Sequence, residues 1–202
     1  MKKRLMKSIL LSACPAIVTA LVLFNSAQAC TRVLWNNNKL VVVAGRTMDW
    51  PESTEPILTV FPRGTPHDGQ FVAGKEIVKD NPAKWTSKYG NIVTTLYGIG
   101  TADGLNEKGL AVHLLFLEAT DFGPRDPKKQ GLPANLWGQY LLDNAATVEE
   151  ALKLFDNVQV VMVEAHGYKA TLHLAMEDES GDSAVIEYIG GKPVVHHGRQ
   201  YT

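Results

Sequence analysis

Three side chains near the start of the chain could do chemistry together. Cys30 opens the run "CTRVLW", and Arg46 and Asp49 follow in "AGRTMDW". A thiol on a terminal residue carries its own base, because a free α-amino group titrates near ~7.7–8.0. That amine can take the thiol proton directly or through a water, so a nucleophilic thiolate forms without a histidine. An arginine beside the sulfur favours the thiolate, and an aspartate beside the amine accepts its hydrogen bonds. The duller alternatives are a surface ion pair for Arg46 and Asp49, and a buried or lipidated thiol for Cys30.

For Cys30 to be terminal, residues 1–29 must be removed. Met1 to Lys7 carries four bases, Ser8 to Phe24 is mostly apolar, and Ala27-Gln28-Ala29 has the small-x-small cleavage pattern. That order is a secretory signal peptide. Its apolar run, interrupted by Pro15, is short beside the ~20 residues of a spanning helix. The expected mature chain is 30–202, periplasmic or secreted, with no membrane attachment after cleavage. Cys14 leaves with the leader, so Cys30 is the one cysteine retained. In an oxidising compartment a leftover cysteine points to a reactive thiol or an intermolecular bridge. Lipidation fits neither cysteine. "AQAC" lacks the large apolar residue expected three before it, and Cys14 follows Lys7 too closely for an apolar core.

Other chemistries find little support. The formal net charge is −1, with no basic stripe and no Cys/His finger, which excludes an ordinary nucleic-acid binder. There is no G-x-S-x-G elbow, no phosphate loop and no H-E-x-x-H spacing, so neither metal nor cofactor is expected. His196 and His197, adjacent on a strand, would point to opposite faces. His113 and His173 sit in apolar runs and read as core or half-buried side chains.

The elements that must position the three residues are mostly strands. "CTRVLW" and "KLVVVAG" flank the turn "NNN" and predict a hairpin that carries Arg46 and Asp49 back towards Cys30. "EPILTVFPRG" and "GNIVTTLYGIG" read as strands. Thr65 to Lys88, with its prolines, glycines and charges, reads as a surface loop. "ADGLNEKGLAVHLLFL" predicts a turn and then an apolar strand, followed by the polar loop "EATDFGPRDPKKQG". Leu136, Tyr140 and Leu141 make a helical stripe, continued by Val148, Leu152 and Phe155 behind a capping box of Thr147 and Glu150. "KATLHLAMED", "DSAVIEYIGG" and "KPVVHHGRQYT" predict three more strands. Hairpins, helices and then further antiparallel strands imply layered α+β in one domain.

Taken together, "CTRVLW" at a cleavage site, "AGRTMDW" and "ADGLNEKGLAVHLLFL" resemble the choloylglycine hydrolase family of bile salt hydrolases and penicillin V acylases, and specifically its Gram-negative branch. The resemblance runs from Cys30 to the last residue. It implies an N-terminal nucleophile hydrolase, an αββα sandwich of two antiparallel sheets between helical layers, here represented by its N-terminal portion. It implies Cys30 as nucleophile with Arg46 and Asp49 as its supporting pair. Trp50 and Phe116 are implied to face the acyl pocket, and Leu115 stands where Gram-positive members carry an oxyanion-hole Asn. The implied substrates are small linear amides with an apolar acyl group: penicillin V, conjugated bile salts or N-acyl homoserine lactones. A homo-oligomer, a tetramer, is implied as well. Relatives place an oxyanion-hole Asn after the strand resembling "KPVVHHGRQYT" and a further Arg later still. The chain is therefore expected to be incomplete and inactive as it stands, with apolar faces uncovered. The alternative is a non-catalytic exported protein or an inactive remnant.

Overall fold

The hairpin forms as its residues require. In the computed structural model, which describes residues 30–165 and 167–199, Arg32–Trp35 pairs antiparallel with Val43–Arg46. Arg32 stands opposite Arg46. Asn38 shapes the turn, its Oδ1 accepting from the backbone N–H of Leu40 at 2.7 Å and Val41 at 2.9 Å. Along the first strand Arg32 and Leu34 are buried while Val33 and Trp35 are exposed, the period-2 alternation of a strand covered on one side. The leader, its cleavage site and Cys14 lie outside the described residues.

The hairpin lies against a seven-stranded antiparallel sheet. Across that sheet the order is Lys192–His197, Ser183–Ile189, Leu172–Glu177, Ala111–Phe116, Gly100–Asn106, Asn91–Leu96 and Ile57–Phe61. Helix Trp137–Asn144 packs on the opposite face, burying Trp137, Leu141 and Leu142 completely. Each such leucine contributes roughly 1.5–3 kcal/mol by leaving water. The helix approaches closely because Gly104 has no side chain: a Cβ there would sit 2.5 Å from Leu142 Cδ1 and 2.7 Å from Val93 Cγ1. Helix Val148–Leu154 follows, with the Thr147 hydroxyl accepting from Glu150 N–H at 3.2 Å. The Glu150 carboxylate reaches back to Ala146 N–H at 2.8 Å, one residue before the cap. The predicted stripe holds, with Val148 buried and Leu152 and Phe155 packed against the core.

Three local readings are corrected. Thr65 to Lys88 is no loop: Pro66–Asp68 pairs with Lys84–Thr86, Phe71–Val72 pairs with Lys75–Glu76, and Val72, Val78 and Ala83 are buried. Tertiary anchoring outweighs the prolines and glycines there, through backbone bonds of 2.8 Å from Gly69 to Ala83 and from Ala83 to Gly131. "TADGLN" is strand, within Gly100–Asn106, so the turn before the apolar strand starts later. The end of the polar loop, Gln130–Pro133, pairs in parallel with Val158–Val161, a local departure from the antiparallel rule. Val60, Ile92 and Leu105 form one cross-strand row and are 69, 39 and 48% exposed.

Candidate active site

Cys30 enters the space between hairpin and sheet, where it is 7% exposed and packs on Leu115 and Ala175, with Phe116 and Val185 beside them. Cys30 also lines a cavity of about 130 Å³. The cavity is almost wholly apolar, lined by Met48, Trp50, Leu114, Phe116 and Leu172 among others. Trp50 and Phe116, both singled out in the sequence, meet edge to face at 5.7 Å between ring centres. Leu115 is placed elsewhere: it is 1% exposed, lies beneath Cys30 and does not line the cavity.

Two aromatic residues of the cavity were not anticipated. Tyr168 packs on Trp50 with ring centres 4.8 Å apart. The Tyr97 hydroxyl accepts from Trp50 Nε1 at 2.8 Å and donates to Glu52 at 2.6 Å, tying the segment after the hairpin to the sheet. Tyr97 adopts φ 53°, beside Gly98 at 65°, to turn tightly between two strands. A non-glycine residue in that region costs of order 1–3 kcal/mol, which the surrounding contacts must offset. Nothing in local sequence singles out Tyr97, because its partner Trp50 lies on a different element.

Arg46 turns inward. Its guanidinium donates to the backbone carbonyl of Leu114 at 2.7 Å and meets Asp103 at 3.3 Å. Its anchor is thus the residue preceding the leucine on which Cys30 rests. Asp103, rather than Asp49, is its ionic partner, which replaces the surface-pair alternative. Asp49 is exposed, yet it connects with the start of the chain through Thr47. The Thr47 hydroxyl donates to Asp49 at 3.1 Å and accepts from Thr31 N–H at 3.0 Å.

Beneath this layer runs a buried row of charges that sequence reasoning missed. Arg32 pairs with Glu177 and also donates to Ser183 Oγ at 3.2 Å. His113 stands between Asp103 and Glu177, with Nδ1 2.8 Å from the first and Nε2 2.9 Å from the second. Carboxylates only accept hydrogen bonds, so both ring nitrogens must donate, and only imidazolium does so. Burial opposes that charge, but the two carboxylates together outweigh it and raise the His113 pKa above the ordinary 6.5. The reading of His113 as a buried residue holds, but as one link in the order Arg32–Glu177–His113–Asp103–Arg46. The available signal was Arg32 itself, a charge at an inward position of an alternating strand.

A pH dependence follows from this raised value. The folded state holds the His113 proton more tightly than the unfolded chain, so the stabilisation is complete below the unfolded value near 6.5. It is lost as pH rises through the folded value. Differential melting of wild type and His113→Gln from pH ~6 to ~9 should show the advantage of wild type shrinking with pH. An advantage that grows with pH would mean that His113 is neutral in the fold. His67 and His173 carry the opposite bias, since burial lowers both, and they cancel in the comparison.

Among the described residues no group of three or more His, Cys, Asp or Glu side chains is placed to hold a metal ion. No helix there is long and apolar enough to cross a membrane.

Comparison with known proteins bears on the family and the fold. The sequence model of the linear amide C-N hydrolases, choloylglycine hydrolase family, matches residues 30–202. Penicillin V acylase of Pectobacterium atrosepticum is 39% identical over 209 residues, which cover 96% of this chain and 54% of that protein. The solved penicillin V acylase of Agrobacterium tumefaciens superposes with a TM-score of 0.73 at 42% identity, over 84% of this chain and 50% of its own. A mutant of the conjugated bile acid hydrolase of Clostridium perfringens gives 0.67 at 25% identity, over 84% and 51%. The chain spans about half the length of these relatives.

Proposed function

The chain belongs to the choloylglycine hydrolase family of linear amide C-N hydrolases, and on that premise we propose that it supplies the nucleophile-bearing part of such an enzyme, with Cys30 as nucleophile. The observation that carries this reading is Cys30 in the lining of an apolar cavity, with Arg46 anchored on the strand beneath it. Removal of residues 1–29 on export frees the α-amino group as the general base. The amine takes the thiol proton and the sulfur attacks the acyl carbonyl. The protonated amine then gives its proton to the leaving nitrogen as the C–N bond breaks. Water cleaves the resulting thioester, releasing the acid and restoring the thiol. Asp49, linked through Thr47 to the N–H of Thr31, orients the start of the chain.

The cavity supports an acyl group of modest size. Its volume of about 130 Å³ is close to that of an apolar cavity of ~150 Å³ that takes a single benzene ring. One aryl ring, as in the phenoxyacetyl group of penicillin V, or a short acyl chain fills that space. A steroid acid exceeds it. The test is hydrolysis of penicillin V, glycocholate and an N-acyl homoserine lactone in parallel by the secreted product of the full reading frame, with mass spectrometry of its N-terminus. The expected result is a chain beginning at Cys30 that prefers penicillin V or the lactone. A preference for glycocholate would overturn the size argument. No turnover, together with a Cys30 that alkylates slowly, would instead support a non-catalytic exported protein.

A further inference from the structure

Arg32 and Arg46 occupy directly opposed positions on the two strands of the hairpin, and both turn towards the sheet. Like charges in that relation repel, and burial makes each more expensive. The sheet answers each one separately: Glu177 takes Arg32, and Asp103 takes Arg46. These two carboxylates come from strands on either side of Ala111–Phe116, and His113 on that central strand joins them. The five groups form a continuous row that crosses three strands and fastens both strands of the hairpin. Cys30 precedes the first of those strands, and Arg46 ends the second.

We propose that His113 is a positioning residue for the active site: by bridging Asp103 and Glu177 it fixes Arg46 and Arg32 together, and so holds the hairpin and Cys30 in place on the sheet. The inference rests on the reading of Cys30 as the nucleophile with Arg46 beside it. Without the bridge Asp103 would keep one ionic contact, to an arginine 3.3 Å away, and would be free to turn from it. Arg46 would then be held chiefly by the carbonyl of Leu114. The charged groups facing His113 are Asp103 and Glu177 from the adjoining strands, with Arg46 and Arg32 behind them on the hairpin. His173 and Glu187 lie on the flanking strands, and each interacts electrostatically with the other, as does Arg46 with His173. Glutamine at 113 preserves size and some hydrogen bonding but supplies no charge and cannot donate to both carboxylates from opposite ring edges.

The experiment measures alkylation of Cys30 by iodoacetamide in the full chain, resolved by peptide mass spectrometry, between pH ~6 and ~9. Wild type, His113→Gln, Asp103→Asn and Val158→Ala are compared, the last as a core change remote from the row. His113→Gln and Asp103→Asn should each slow alkylation near neutral pH about tenfold and shift its pH profile upward, since cysteine reactivity follows thiolate content. Val158→Ala should lower the melting temperature and leave the profile unmoved. A folded His113→Gln whose profile matches wild type would overturn the inference while leaving the nucleophile reading intact. If that variant does not fold, Asp103→Asn carries the same test, and a wild-type profile there overturns the inference equally. A wild-type Cys30 no faster than a cysteine in an unfolded peptide would overturn the nucleophile reading itself, and the inference with it.

Discussion

In the secreted product of the full reading frame, Cys30→Ala is expected to abolish amide hydrolysis, a loss on the order of 10⁶-fold. The argument is chemical before it is structural. Among the residues lining the cavity, Cys30 carries the one strong nucleophile, and it packs on Leu115 and Ala175. Cys30→Ser should lower turnover severely as well, because the alkoxide is harder to make than the thiolate. Ala29→Pro probes the other half of the same machinery. It blocks cleavage before Cys30, leaves the α-nitrogen within a peptide bond and removes the general base, which is worth ~10²–10⁴ in rate. All three are read with the preferred amide and with mass spectrometry of the N-terminus. Full turnover in a chain that still carries residues before Cys30 would end the mechanism, whatever the fate of Cys30→Ala.

Cys30 was legible as a candidate because its signal is local. Cys30 follows a cleavage pattern that any reader of the leader can see. Trp50 and Phe116 were reached only through the resemblance, and the structure places the two rings in contact. The helical stripe and the Thr147 cap were also local, and both formed. The charge row was illegible for the opposite reason. Asp103 faces His113, and His113 faces Glu177, only through the register of three strands, and a register is set by the fold as a whole. "TADGLN" was read as a turn from its glycine and asparagine, which hid Asp103 as a site residue. That glycine, Gly104, instead makes room for Leu142. The segment 65–88 misled similarly: its turn residues are real, but Val72, Val78 and Ala83 pin the short strands between them to the core. The αββα sandwich of two antiparallel sheets between helical layers was anticipated through the resemblance; the described residues show a seven-stranded antiparallel sheet of it with a helix on one face and the hairpin on the other, and the Agrobacterium tumefaciens acylase superposes on the chain.

Glu177→Leu should be among the most destabilising single substitutions in the molecule, costing about 3–5 kcal/mol. Arg32 and Glu177 have side chains only 3 and 5% exposed, so water cannot take the place of the missing carboxylate. What would remain around the guanidinium is the Ser183 hydroxyl and the carbonyl of Met176, two neutral acceptors. His113 would lose an acceptor at the same stroke, so a second cation would become poorly compensated. Against a folding stability of ~5–15 kcal/mol for an ordinary domain, that loss is a large share. Arg63→Ala offers the contrast. Arg63 also pairs with a carboxylate, Glu107, but its side chain is 64% exposed, and solvent screening leaves that pair little to contribute. The double change Arg32→Met with Glu177→Leu should recover part of the loss, because an apolar pair of similar volume removes both buried charges. Urea titration of the three variants beside wild type measures this directly. If Glu177→Leu is no worse than Arg63→Ala, the buried row carries no structural weight, and the account of how the hairpin is fastened beneath Cys30 fails.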